Sequence, residues 1–282
     1  MAMALRMSQW VLAAATGLFL AAVPAMAADS AWVDNQDSQI RLVAVQSAVG
    51  DATSISAGLQ IRLQPGWKTY WRDPGEAGLP PRLDWSGSRN VAAAEIAWPA
   101  PKRFTTFGFD SYGYAEEVVF PIDIKLQRPG QPVAARVAVE YMVCAEICVP
   151  ASAELALDLP AGPAASTAHA ALINDYLQRL PGTGPDRIES VKVLKSGDDQ
   201  VLEVVVRGDA AFQAPDMFVE APFPFRFGRP DVQLDDDGHR ARLRLPVYAS
   251  GTTQALSDQS LVLTLVDGKR AVEFKTKARP GS

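Results

Sequence analysis

Residues 133–159 read VAARVAVEYMVCAEICVPASAELALDL, and this stretch decides the fold. From Val133 to Tyr141 apolar residues recur at every second position, as a half-buried strand requires. Ala153 to Leu159 repeats the pattern, with Leu155, Leu157 and Leu159 on one face. Between the two runs stand Cys144 and Cys148, the only cysteines of the 282-residue chain. A disulfide needs Cα atoms about 4.4–6.8 Å apart. Along a straight strand, four residues span roughly 13 Å. To bridge, the segment must fold back, and a three-residue loop of Ala145, Glu146 and Ile147 between two strands does that. The first strand is expected to end at Val143, and Pro150 to stop pairing soon after Cys148. The two cysteines then face each other at a hairpin tip.

Three readings of this pair stay open on spacing alone. As a structural staple it is weakly placed: closing a loop of about five residues stabilises by roughly 2 kcal/mol on the chain-entropy model, against about 4.7 for 100 residues. As a redox centre it is well placed, because a tip leaves a sulfur open to a foreign thiol. As a soft-metal site it offers two thiolates for copper(I), with Met142 nearby. The two histidines, His169 and His239, are distant in sequence and read as solvated residues, so no metal ligand set is assigned. Glu146 between the cysteines disfavours a thiolate, whereas Tyr70, Tyr112 and Tyr141 are candidate hydrogen-bond donors to sulfur. For each tyrosine ordinary aromatic packing is the competing reading, and the group Trp67, Tyr70, Trp71 and Trp98 reads as core or turn packing rather than as partner surface.

The rest of the chain is mostly short strands broken by turns. Ile40–Val45, Leu59–Leu63 and Val118–Leu126 read as strands. Pro65-Gly66, Pro74-Gly75, Gly78-Leu79-Pro80-Pro81 and Pro99-Ala100-Pro101 read as breaks in regular structure. Composition changes at Pro160. Ala168–Leu180 has helical spacing, and strands return at Val201–Val206, Ala241–Leu245 and Leu261–Val266, with a hairpin turn at Asp235-Asp236-Asp237-Gly238. The expectation is an all-β protein of two immunoglobulin-like β-sandwich domains joined by a short helical linker. Residues 28–160 form the first domain, 161–185 the linker and 186–282 a second, smaller β domain.

The N-terminus reads as an export signal. Arg6 precedes the apolar run Trp10–Val23, and Ala25-Met26-Ala27 fits a cleavage site, so residues 1–27 are expected to be removed. Removing Arg6 takes the 27 basic residues to 26, against 32 acidic ones. No basic run stands out, which argues against nucleic acid as a partner. Neither a phosphate-binding glycine loop nor an HExxH motif occurs, and two separated histidines give a nucleophile–His triad little to build on.

Tyr141–Pro150 resembles the redox segment of the periplasmic N-terminal (alpha) domain of DsbD-type thiol:disulfide interchange proteins, closest to the ScsB branch, the suppressor-of-copper-sensitivity relatives. Gly66–Gly75, Gly78–Pro81, Trp98–Pro101 and Tyr112-Gly113-Tyr114 are similar to that branch too. Phe218-Val219-Glu220 and Phe225–Gly228 resemble its second β subdomain. The resemblance covers nearly all of the chain after residue 27. It implies a protein-disulfide reductase-type relay without a cofactor, in which the pair takes electrons from a membrane-embedded donor and passes them to periplasmic thioredoxin-like proteins. It implies that Cys148 attacks the partner and Cys144 resolves the mixed disulfide. It also implies a shield over the cysteines at Asp110-Ser111-Tyr112-Gly113, with Ser111 in place of the family's phenylalanine. The relatives continue into transmembrane and thioredoxin-like domains; this sequence stops at Ser282, so a separately encoded membrane donor is the expectation.

Overall fold

The computed structural model describes residues 28–106, 108–196, 199–249 and 255–281. The expected export signal, residues 1–27, lies outside them. The first half contains β1 (Val33–Asn35), β2 (Ser38–Ala44), β3 (Ser54–Leu63), β4 (Lys68–Gly75), β5 (Arg82–Asp84), β6 (Val91–Ile96), β7 (Lys102–Thr106), β8 (Phe109–Ala115), β9 (Glu117–Leu126), β10 (Val133–Cys144) and β11 (Cys148–Leu159). One sheet has the order β1-β2-β3-β9-β6 and the other β11-β10-β4-β8-β7, with β5 also paired to β10. Alternation places Ile40, Leu42, Leu59, Ile61 and Phe120 of the first sheet against Val137, Val139, Tyr141, Leu155 and Leu157 of the second in one buried core.

Helix α1 (Ala170–Leu177) follows. It is shorter than the helical spacing over Ala168–Leu180, and it is no free connector. Ile173 and Tyr176 are buried in the first core, and the Tyr176 hydroxyl donates to the Glu117 carbonyl at 2.9 Å. The second half contains β12 (Arg187–Ser196), β13 (Asp199–Arg207), β14 (Asp216–Glu220), β15 (Arg226–Phe227), β16 (Asp231–Asp235), β17 (Arg240–Tyr248), β18 (Ser260–Asp267), β19 (Arg270–Lys277) and β20 (Arg279–Pro280). Sheets β15-β17-β13-β12-β20 and β14-β18-β19 enclose a second core around Leu202, Val204, Leu243 and Leu263. The fold is thus all-β and immunoglobulin-like.

One local expectation needs correction. Pro150 does not stop pairing: β11 runs in register with β10 through Met142↔Pro150 and on to Val133↔Leu159. Strand β11 lies at the sheet edge, where a proline can sit without removing a ladder bond to a further strand. Pro74-Gly75 does end β4, but from inside the strand, whose ladder with β8 passes from Tyr70↔Gly113 to Gly75↔Ser111 through an irregularity. The irregularity absorbs the residues that do not fit the ladder.

The two halves meet along β4, β7 and β8. Phe218 of β14 packs edge-on against Trp71 (5.9 Å between centroids) and Tyr112 (4.9 Å), so it belongs to the first core. The Arg72 guanidinium donates to both Glu220 carboxylate oxygens and to Glu273, at 2.5–3.1 Å.

Candidate functional site

The β10–β11 hairpin ends in the pair Cys144↔Cys148, and the two are joined as a disulfide with Cα atoms 4.1 Å apart. The strand therefore extends one residue beyond Val143, and the loop is Ala145-Glu146-Ile147 as the spacing predicts. The Ala145 N–H donates to the Ile147 carbonyl at 3.1 Å, which tightens the turn.

The two sulfurs have unequal surroundings. Odd-numbered β10 residues, Tyr141 and Val143 among them, point into the core; Cys144 stands on the opposite face. It is nevertheless 1% exposed, whereas Cys148 is exposed and neighbouring Ile147 is 69% exposed. The cover over Cys144 is Tyr70 of β4, itself 1% exposed, whose hydroxyl donates to Cys144 Sγ at 2.5 Å and lies 3.4 Å from Cys148 Sγ. Burial pushes the Tyr70 phenol above its ordinary pKa, so it stays a protonated donor at neutral pH. Over Tyr70 runs the 76–81 loop. A Cβ on Gly78 would meet the Tyr70 ring at 2.2 Å, so bare backbone closes on the ring face there. Beyond Gly78, Leu79 and Pro80 face Met142 and Pro150 across a groove of about 350 Å³.

The other sequence candidates go elsewhere. The Tyr141 hydroxyl bonds Ser38 and Asn35, each at 2.8 Å. Tyr112 donates to the Phe227 carbonyl at 3.3 Å and accepts from Arg103 at 3.2 Å, so the expected shield turns toward the second half of the chain and not toward sulfur. Asp110 accepts from Thr105 at 2.6 Å and from Arg103 at 3.1 Å. Glu146 is exposed in the turn. Lys68, the register partner of Cys144 on β4, was not anticipated; its ammonium donates to Thr106 Oγ1 at 2.6 Å. His169 is not on an exposed face: its Nε2 lies 3.2 Å from Asp29. His239 Nδ1 lies 3.2 Å from the Gly208 carbonyl oxygen. Among the described residues, no group of three or more His, Cys, Asp or Glu side chains is placed to hold a metal ion, and no helix is long and apolar enough to cross a membrane.

An exposed cysteine bridged to a buried one at the tip of an immunoglobulin-like sandwich defines a disulfide-bearing all-β domain. Residues 39–160 match the family model described as "Thiol:disulfide interchange protein DsbD, N-terminal", and this part of the chain is a domain of that type. Residues 179–281 match a domain of unknown function (DUF8393). The fold is that of the N-terminal periplasmic domain of ScsB from Proteus mirabilis, with a TM-score of 0.73 at 24% identity over 90% of this chain and 100% of that one. A marsupial T cell receptor chain also aligns, but at a TM-score of 0.20 and 9% identity. No curated protein sequence matches.

Proposed function

We propose that the chain is a periplasmic dithiol relay that carries electrons through Cys144 and Cys148 from a membrane reductase to thioredoxin-like proteins. Residues 28–160 act as the redox domain, and 186–282 form a second β domain. The observation that carries this reading is the asymmetry of the pair: one cysteine exposed, the other buried under the Tyr70 hydroxyl.

The chemistry follows from that asymmetry. A donor thiolate attacks Sγ of the exposed Cys148 and forms a mixed disulfide. The Cys144–Cys148 bond breaks, and its electron pair leaves on Cys144 Sγ, where the Tyr70 hydroxyl donates to it. A second donor thiolate then attacks the donor's own sulfur in the mixed disulfide and releases Cys148. The donor has become a disulfide, and the pair has gained two electrons and two protons. In the second half-cycle Cys148 attacks an acceptor disulfide, and Cys144 resolves the complex by re-forming the bond to Cys148. Supporting the setting are the N-terminal signal pattern and the periplasmic origin of the matched ScsB domain.

The reading is tested by mixing the reduced chain with an oxidised thioredoxin-like protein and following thiols in both. Transfer that disappears in the Cys144→Ala, Cys148→Ala double variant is expected; a reduced chain that leaves the acceptor oxidised would refute the relay. Tyr70→Phe should slow reduction of the pair. The hydroxyl bonds the departing Cys144 thiolate more strongly than a disulfide sulfur, so it eases that departure. Losing a hydrogen bond to a charged group costs about 1.5–3 kcal/mol. In rate that is roughly a ten- to hundredfold slower attack by a donor thiol, measurable by following thiols over time.

A further inference from the structure

We propose that the second half of the chain is a positioning element for the cover over the disulfide, acting through Arg103. The inference builds on reading Cys144–Cys148 as the exchanging site.

The cover is a stack: backbone at Gly78, then the Tyr70 ring, then Cys144 Sγ. Where the loop leaves β4 it is pinned to the start of β8. The Glu76 N–H donates to the Asp110 carbonyl at 2.9 Å, and the Asp110 N–H donates to Glu76 Oε2 at 2.7 Å. A Cβ on Gly75 would fall 2.8 Å from the Asp110 carbonyl oxygen, so the two strands are in close contact there. Asp110 is thus the root of the cover.

The Asp110 carboxylate is fixed by Thr105 and Arg103 of β7, and Arg103 is in turn held by the other half of the chain. The Arg103 side chain is 5% exposed. It makes two bonds to the Asp216 carboxylate, at 3.0 and 2.9 Å, and one to the Met217 carbonyl at 3.0 Å. Its guanidinium lies over the rings of Tyr112 and Phe218. Arg229 reaches Asp110 as well, at 3.5 Å. Burial would weaken the Arg103 charge, but the bonds and charge of Asp216 outweigh it and raise its pKa. Burial would likewise raise the Asp110 carboxyl, but Thr105 and Arg103 outweigh it and hold it low. Both groups therefore stay ionised at neutral pH. A buried arginine shared between acids of both halves is an expensive adhesive. The half-exposed Arg72–Glu220–Glu273 cluster already ties the halves together. The distinctive consequence of the Arg103 arrangement is that the cover's root cannot shift unless the second half shifts with it.

The test uses the full chain carrying Cys148→Ala and iodoacetamide, whose labelling rate at the remaining thiol, Cys144, reports opening of the cover without any protein partner. Asp216→Asn should open the cover more often and speed labelling on the order of fivefold, the change that losing one modest interaction brings. Arg103→Met should speed it further. Glu220→Gln, which weakens the same interface away from the root, should leave the rate at the parent value. Melting curves establish that each variant is folded, and Asp216→Asn, the milder change, keeps the test decisive should Arg103→Met not fold. Unchanged rates in folded Asp216→Asn, or an equal gain in Glu220→Gln, would overturn the proposal. Because no relay partner is involved, a failure of the relay itself would leave these rates untouched.

Discussion

Changing Cys144 to alanine should turn the chain into a trap for its redox partners, while changing Cys148 to alanine should abolish capture. In the proposed relay the exposed Cys148 forms the mixed disulfide, and Cys144, buried under Tyr70, resolves it. Without Cys144 the partner stays bound until its own second thiol acts, so pairing Cys144→Ala with a partner lacking its resolving cysteine should give a near-stoichiometric adduct on a non-reducing gel. In Cys148→Ala the remaining thiol is buried beneath a ring and a loop, and adduct formation should fall by at least about tenfold, as loss of thiol access implies. Equal capture by the two variants would remove the asymmetry on which the chemistry rests.

The largest stability effect is expected at Gly113. A Cβ there would lie 1.9 Å from the Thr69 carbonyl oxygen and 3.0 Å from Tyr70 Cα. Both are backbone atoms of the adjacent strand, so no side chain can swing aside. Gly113→Ala must force β4 from β8 and break the Tyr70↔Gly113 ladder step. Overpacking ordinarily costs about 1–3 kcal/mol, and here lost ladder bonds add to it, so about 3 kcal/mol or more is expected. Tyr70 would move with its backbone and loosen from Cys144. Thermal unfolding should therefore show a markedly lower midpoint. A variant as stable as the parent would mean that the close contact of these strands is wrongly placed.

Much of the hairpin was legible because two local rules act there without competition. Alternation of period two fixed the faces of Val133–Tyr141 and Ala153–Leu159, and disulfide reach demanded a turn between the cysteines. The same parity held information that went unused. Tyr141 shares the face of Val139 and Val143, so it belongs to the core, whereas Cys144 lies on the other face. Likewise Tyr70 and Trp71 are neighbours on one strand and must face opposite ways; Trp71 fills the core and Tyr70 meets the sulfurs. The error came where a local signal lost to a ladder. Pro150 read as a breaker, but an edge position accommodates it. The cover over the disulfide was beyond sequence reading. Tyr70 meets Cys144 across 74 residues of chain and Arg103 meets Asp216 across 113, and no local pattern encodes such distances.

The decisive measurement is the reduction potential of the Cys144–Cys148 bond in the full chain, equilibrated against thiol buffers of known poise. Exchange through a reachable sulfur requires a value above about −300 mV, within range of thioredoxin-like couples. A value well below that, with the bond intact in every physiological buffer, would make the bridge a permanent staple and contradict the relay.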